Sequence, residues 1–286
     1  MGCLTGMGPT GVRRDGLGLA LRPQHVGELA RALDEGRPTG IDFVEIVSEN
    51  HLRAQALPSV RLAPIARALP VVLHGVSLDL LGPGALDLQY LAALRALAHS
   101  VSAPFFTDHL AWCASGGLSH HDLLPVPCAH DLVAYAVARI RAVTAAVGLP
   151  FGVENISSYL ELEPREMPEW EMLARVAEGA DCGIVLDVNN IFVTAQNHGF
   201  DPRAYLAGVP WERVLYVHMA GHQPRPDGLL HDTHDRAVAN GVLALYADAW
   251  RRGGPFPTVL EWDDEIPPFP AMLAELSRIA RAREGG

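Results

Sequence analysis

Residues 151–190 read FGVENISSYLELEPREMPEWEMLARVAEGADCGIVLDVNN. An apolar run over Phe151–Asn155 closes on Glu154 and Asn155, Pro168–Ala180 places apolar residues at helical spacing, and a second apolar run over Gly183–Asn189 carries Asp187 near its end. Short apolar strands joined by an amphipathic helix predict parallel strands buried on both faces, because the crossover helix covers the sheet.

The unit repeats on both sides. Toward the N-terminus, strands are expected over Gly16–Leu21, Asp42–Val47, Val71–Val76 and Pro104–Trp112, with helices over Pro23–Glu35, Ser59–Leu69, Asp87–Ala98 and His130–Val147. Toward the C-terminus come a helical return at Pro202–Ala207, a strand at Val214–His218 with a helix over Asp235–Arg252, and a strand at Thr258–Glu261 with a helix over Pro270–Arg283. Eight strand–helix units predict an α/β fold, a single (β/α)8 TIM barrel. An open doubly wound sheet lacks its expected glycine-rich phosphate loop, since Gly16 and Gly18 lie inside the first strand. Residues 1–15 are expected as a flexible N-terminal leader and residues 16–286 as one catalytic barrel domain.

Length and charge narrow the chemistry. A chain of 286 residues fits one large barrel. Its formal charge of −11 opposes binding to nucleic acid or to anionic lipid, so peptide, metal or small-molecule partners are favoured. Cys3, Cys113, Cys128 and Cys182 form no CxxC pair and are expected as free thiols. No signal-peptide core and no apolar run of about twenty residues is present, so a cytoplasmic location with no membrane span is expected.

Strand after strand stays apolar until its carboxyl end, where a potential ligand appears. In order these are Glu45 with His51 beyond it, His74, Asp108 and His109, Glu154 and Asn155, Asp187 and Asn190, His218, and Glu261. Barrel strands converge at one mouth, so residues far apart in sequence meet there. The stretch VLYVHMAGHQPRPDGLLHDTHD, residues 214–235, adds His222, His231, Asp232, His234 and Asp235. Taken singly, His74 reads as a core histidine bonded to a carbonyl, and His109 reads equally as an ordinary loop residue. The carboxylates are harder to place without a partner, because desolvating an isolated one costs several kcal/mol.

Crowded carboxylates repel one another unless cations neutralise them. The chain contains no lysine, and none of these strand ends carries an arginine. Bound metal is the simplest source of positive charge, and the donors exceed what one ion uses, which argues for two or three ions. Imidazole and carboxylate donors suit iron, manganese or zinc alike. Asn189 and Asn190 also offer oxygens beside Asp187, and His51, His222 and Asn190 read as ligands, as groups that orient ligands, or as substrate contacts. Trp112, Trp211 and Trp262 are expected in barrel packing, His120, His121, His198 and His231 in loops, and Asp263, Asp264 and Glu265 as a solvated charge run.

The strings EIVSENH (45–51), LHGVSLDL (73–80), FTDHLAW (106–112), VENISSY (153–159), LDVNN (186–190), VHMAGH (217–222), DTHD (232–235) and LEWD (260–263) form an ordered set. This set resembles the multinuclear non-heme iron-dependent oxidases, a family that includes the methanobactin-biosynthesis oxidase. The resemblance runs from about Gly16 to Asp264. It implies a xylose-isomerase-like TIM barrel holding two or three irons of mixed Fe(II)/Fe(III) state, with O2 as co-substrate. The substrate it implies is a residue, often cysteine, of a ribosomally synthesised precursor peptide.

Carried over by position, the implied metal ligands are His74, His109, Glu154, Asp187, His218, Asp232, His234 and Glu261, with Glu154 placed to bridge two irons. Glu154, Asp187 and His218 are expected at the reacting centre, and Glu45, His51, Asp108, Asn155, Asn190 and His222 as groups that orient ligands or touch substrate. A separate peptide-recognition partner protein is also implied. The competing functions are a divalent-metal sugar isomerase or phosphodiesterase on the same barrel, and a non-catalytic metal or peptide binder. The first lacks the lysine a sugar isomerase places near its metals, and a nuclease would need a basic track.

Overall fold

A computed structural model describes residues 11–52, 58–115 and 118–284 of the chain. Eight strands, β1 (Leu17–Ala20), β2 (Phe43–Val47), β3 (Val71–His74), β4 (Phe106–His109), β5 (Phe151–Glu154), β6 (Gly183–Asp187), β7 (Val214–Met219) and β8 (Thr258–Leu260), close into one barrel in sequential order. Every pairing is parallel, including β1 with β8. Helices Pro23–Asp34, Pro58–Ala68, Leu88–Val101, His130–Val147, Glu169–Ala180, Asn240–Gly253 and Phe269–Glu284 cover the outside, and after β6 the cover is shared by Val188–His198 and Pro202–Gly208. Their buried faces, such as Leu91, Leu94, Leu97 and Val101 in one helix, pack on the outward side chains of the strands.

The barrel interior is built in layers. Ala20, Phe43, Val72, Phe105, Val185, Tyr216 and Val259 form an apolar plug with Val12. Two residues further along most of these strands, on the same inward face, come Glu45, His74, Thr107, Asp187, His218 and Glu261. Side-chain alternation along a strand therefore sets a polar layer directly above an apolar floor. Residues 1–10 of the expected leader lie outside the described residues, while Val12 is buried in the floor and Arg13 pairs with Asp15 and Asp42.

Register places neighbouring donors side by side: His109 pairs with Glu154 across β4 and β5, and Asp187 with His218 across β6 and β7. Glycine permits the close approaches this needs. A Cβ on Gly75 would lie 2.5 Å from Asp108 Oδ2, and one on Gly221 would lie 2.2 Å from the Arg236 carbonyl oxygen.

Three expectations are corrected. The fourth strand does not run to Trp112: it ends at His109, and Trp112–Ser115 and Leu118–Leu124 form a separate antiparallel hairpin at the mouth. Asp79 anchors that turn, its Oδ1 accepting from the Cys113 and Ala114 amides at 2.6 and 3.1 Å. The sixth strand stops at Asp187 rather than Asn189, because the Asp187 carboxylate accepts from the Asn190 amide at 2.7 Å and starts a helix at once. The helix expected from Asp235 begins only at Asn240, since Asp235 is held by Gln223, Thr233 and Arg236.

Of the residues expected in loops, His120 and His121 lie on the hairpin strand Leu118–Leu124, His231 on the short strand Leu230–His231, and His198 ends the helix Val188–His198, while Trp112, expected in barrel packing, opens the hairpin. Trp262 is buried and Trp211 stacks on Phe256, while Cys113, Cys128 and Cys182 are free thiols. Cys3 lies outside the described residues. No described helix is long and apolar enough to cross a membrane.

Candidate metal centre

The strand ends deliver their polar side chains into one mouth, where two groups of donors form. In the first, donor atoms of His74, Glu154 and His218 lie within 4.8 Å of one another. Glu154 is its centre: Oε1 is 2.8 Å from His218 Nδ1, and Oε2 is 3.4 Å from His74 Nε2 and 3.5 Å from His109 Nε2. In the second, Asp187, His234 and Glu261 meet under the same limit, with His234 Nδ1 3.3 Å from Glu261 Oε2. The groups touch, since Glu261 Oε2 is also 3.5 Å from His218 Nδ1. Asp232 joins the second group through His234 Nε2 at 2.7 Å. A cavity of about 440 Å³ opens onto both, walled by the hairpin residues Asp122 and Leu123 and by Tyr159 and His231.

The electrostatics are those of charges forced together out of water. Burial alone would lower the His218 imidazole, but Glu154, Glu45 and Glu261 around it raise it well above its ordinary range. His109 is likewise raised to about 9, against burial, by Glu154 and Asp108. Burial pushes Asp187 up to about 8, with Glu154 and Asp232 adding to the rise. Glu261 resists the same burial because His218, His234 and Arg22 hold it well below the carboxylate range.

The donor atoms also fit a metal by what they fail to bond. His74 Nε2, Glu154 Oε2, Asp187 Oδ2 and Asn190 Oδ1 are buried without a hydrogen-bond partner, and His234 finds only carboxylates, Asp232, Glu261 and Asp263, around its two ring nitrogens. Unpaired buried polar atoms cost about 1–3 kcal/mol each, so four converging on one mouth fit a shared ligand. Nitrogen and oxygen donors without sulfur suit iron, manganese or zinc. His234 also has a left-handed backbone, φ +47°, a conformation costing about 1–3 kcal/mol that aims its ring at Asp232 and Glu261.

The other sequence candidates take distinct positions. Glu45 lies beneath the first group, with His218 Nε2 at 2.9 Å from its Oε2. Asp108 accepts from the amides of Leu78 at 3.1 Å and His109 at 2.7 Å, and so pins the loop after β3. It stands 3.8 Å from His109 Nδ1, which instead bonds the Gly75 carbonyl oxygen at 3.2 Å. Asn155 pairs with both backbone groups of Asp187, at 2.9 and 3.0 Å, fixing the end of β6. Asn190 lines the cavity and donates to the Asn155 carbonyl oxygen at 3.1 Å. His222 stacks on Phe192 and meets Asn189 Oδ1 at 2.7 Å; Asn189 in turn donates to Asp232 at 2.7 Å. His51 sits half-buried on the short helix Glu49–Leu52 and does not line the cavity.

Two contributors escape a reading of the sequence. Arg22, just past β1, bonds Glu261 Oε1 at 3.3 Å, Asp263 and the Trp262 carbonyl oxygen at 2.9 Å. Asp263 is no mere surface charge, for it lines the cavity and stands 3.4 Å from His234 Nδ1. The only hint of Arg22 in the sequence is its place after the first strand.

Fold and site together define a closed (β/α)8 barrel with two adjoining, buried candidate metal groups at its carboxyl-end mouth. The chain belongs to the family of RiPP precursor modification enzymes MbnB/TglH/ChrH, enzymes acting on ribosomally synthesised peptide precursors, whose profile matches residues 16–284. It is 42% identical over 265 residues to a UPF0276 protein of Anaeromyxobacter sp. (strain Fw109-5), covering 93% of this chain and 92% of that one. A UPF0276 protein of Caulobacter vibrioides is 42% identical over 269 residues, 94% of each chain. Among solved structures, a putative xylose isomerase from Rhodospirillum rubrum matches with TM-score 0.62 at 13% identity, over 95% of this chain and 99% of that one. Endonuclease IV from Thermus thermophilus matches with TM-score 0.58 at 18% identity, over 95% of this chain and all of that one. At such identities the likeness establishes the xylose-isomerase-like barrel fold and nothing of the chemistry.

Proposed function

We propose that this protein is a multinuclear non-heme iron oxidase that uses dioxygen to modify a residue, cysteine by preference, of a ribosomally synthesised precursor peptide in the cytoplasm. The observation that carries the reading is the pair of adjoining donor groups, His74–Glu154–His218 and Asp187–His234–Glu261, with unpartnered nitrogen and oxygen atoms facing one cavity. Family membership supplies the substrate class.

In this reading His74, His109, Glu154 and His218 hold one ion, and Asp187, Asp232, His234 and Glu261 hold another, with Glu154 and Glu261 at the join. Iron held there would supply the redox chemistry toward dioxygen. The protein's own residues hold the ligands in place and shield the ions from the apolar floor side. Glu154, Asp187 and His218 would hold the reacting ions from the barrel side, since none of the three lines the cavity itself. Ser157, Tyr159, Asn190 and His231 line the space in which a peptide residue would be oriented. A separate partner protein is expected to present the remainder of the precursor.

Elemental analysis of anaerobically purified protein, followed by oxygen consumption with a cysteine-bearing precursor peptide, tests the reading. Iron at two or more ions per chain and peptide-dependent oxygen uptake are expected. Zinc alone, with no gain on iron loading, would sink it.

A further inference from the structure

Beneath the first donor group runs a buried hydrogen-bond chain. Thr107 Oγ1 lies 2.8 Å from His74 Nδ1 and 3.0 Å from the Tyr216 hydroxyl; the Tyr216 hydroxyl donates to Glu45 Oε2; and Glu45 meets His218 Nε2 at 2.9 Å. The chain thus joins the two histidines of one group from below, through three residues that line no part of the cavity. All five side chains are buried, and Tyr216 is fixed by Phe43 and Phe105 on the apolar floor.

The protons in this chain can be counted. Tyr216 has one, and it goes to Glu45, an acceptor on both oxygens. Thr107 has one, and three acceptors compete for it: His74 Nδ1 at 2.8 Å, the Tyr216 oxygen at 3.0 Å and the Leu73 carbonyl oxygen at 3.2 Å. Because the Tyr216 proton is committed to Glu45, the Thr107–Tyr216 contact has a proton only if Thr107 gives it; every contact of the chain is then satisfied when His74 Nδ1 carries its own proton and donates to Thr107 Oγ1. Nε2, the atom facing Glu154 Oε2, is left with the lone pair. His218 Nε2 likewise carries a proton, directed at Glu45, so Nδ1, 2.8 Å from Glu154 Oε1 and 3.5 Å from Glu261 Oε2, is the nitrogen turned to the donor group.

We infer that Tyr216 and Thr107 are positioning residues of the metal centre: with Glu45 they lock His74 and His218 into opposite tautomers, so that His74 meets metal through Nε2 and His218 through Nδ1. The inference rests on the reading that metal binds at this group, and it goes beyond that reading by assigning a role to two residues that touch neither metal nor substrate. Removing the Tyr216 hydroxyl takes a donor from Glu45 and an acceptor from Thr107. The Thr107 proton is then free to turn to His74 Nδ1, which releases the wrong tautomer. Loss of such an outer partner lowers metal affinity by about 10–100-fold.

The test is a cobalt(II) titration of the metal-stripped full chain, followed by its visible ligand-field absorption, for wild type, Tyr216→Phe, Thr107→Val and Thr107→Ser. Phe keeps the ring between Phe43 and Phe105, and melting in chelator checks that each variant is folded. Tyr216→Phe and Thr107→Val are expected to weaken one class of cobalt site by about 10–100-fold, leave the other class unchanged, and alter the absorption band. Thr107→Ser is expected to restore both readouts. Two-bond 1H–15N correlation spectra of the zinc-loaded wild type should show a protonated Nδ1 on His74 and a protonated Nε2 on His218.

Wild-type cobalt affinity in folded Tyr216→Phe and Thr107→Val, or the reverse tautomer on His74, would overturn the inference while leaving the metal reading intact. Failure of the wild type itself to bind cobalt or zinc would overturn both.

Discussion

Replacing Arg22 with Met keeps an unbranched apolar stem and removes the only arginine paired to this mouth among the described residues. Its guanidinium contacts Glu261, Asp263 and the Trp262 carbonyl oxygen, and the side chain is only 11% exposed. Glu261 is itself buried, so in the variant two carboxylates face each other across His234 with less positive charge between them. Breaking a buried pair costs about 3–5 kcal/mol, and the 46% exposure of Asp263 lets water recover part of it, leaving about 3 kcal/mol. At roughly 2 cal/mol/K per residue, that loss lowers the melting temperature of a chain this size by about 5 °C.

The assay is a circular-dichroism melt of metal-stripped wild type and Arg22→Met, repeated with metal added. A bound cation restores positive charge beside Glu261, so the difference between the two proteins should shrink on loading. A variant melting within about 1 °C of wild type without metal would refute the claim that Arg22 offsets the mouth's carboxylate charge.

Asp187→Asn separates two roles of one residue. Asn still accepts from the Asn190 amide and starts the helix, so the melt of metal-stripped protein should stay level or rise, while elemental analysis should find about one ion fewer per chain. A fall in stability as large as that of Arg22→Met would contradict this division. The stability of metal-stripped protein should also fall as pH rises from about 6.5 to 9. His109, raised to about 9 by Glu154 against burial, binds its proton more tightly folded than unfolded, so its contribution is full below its unfolded value and is lost as pH passes 9. Asp187, raised to about 8 by burial, acts in the same direction over a lower window, from its ordinary value up to about 8. The His109 share is roughly 3 kcal/mol at most, and urea melts of wild type and His109→Asn across this range should differ in slope; equal slopes would count against it.

Much of this architecture is legible in the sequence. The strand–helix beat fixes a closed parallel barrel, and His74, Asp187, His218 and Glu261 stand out because each interrupts an apolar strand two residues above an apolar inward position. What stays hidden is what the alphabet of strands conceals. Thr107 and Tyr216 are ordinary strand formers, and nothing marks their hydroxyls until the barrel closes. Arg22 lies on the loop after β1, and only the pairing of β1 with β8 brings it to Glu261. Asp187 reads as a strand residue with more strand to come, because Val188 is β-branched; capping of the next helix outweighs that preference. The turn at His109 depends on Asp79, thirty residues earlier, so no local pattern announces the hairpin that follows.

The register of the barrel has one further consequence. His109 and Glu154, and Asp187 and His218, sit opposite each other by backbone pairing. A slip of one residue would turn a whole strand's donors outward. The heights of these candidate ligands are therefore written in main-chain hydrogen bonds, whereas the walls of the cavity are written in a hairpin and two loops that share little of that ladder. Such a molecule can exchange its rim for another and meet a different peptide while the donor ring beneath keeps its spacing, so diversification of substrate and preservation of chemistry fall to separate parts of the chain.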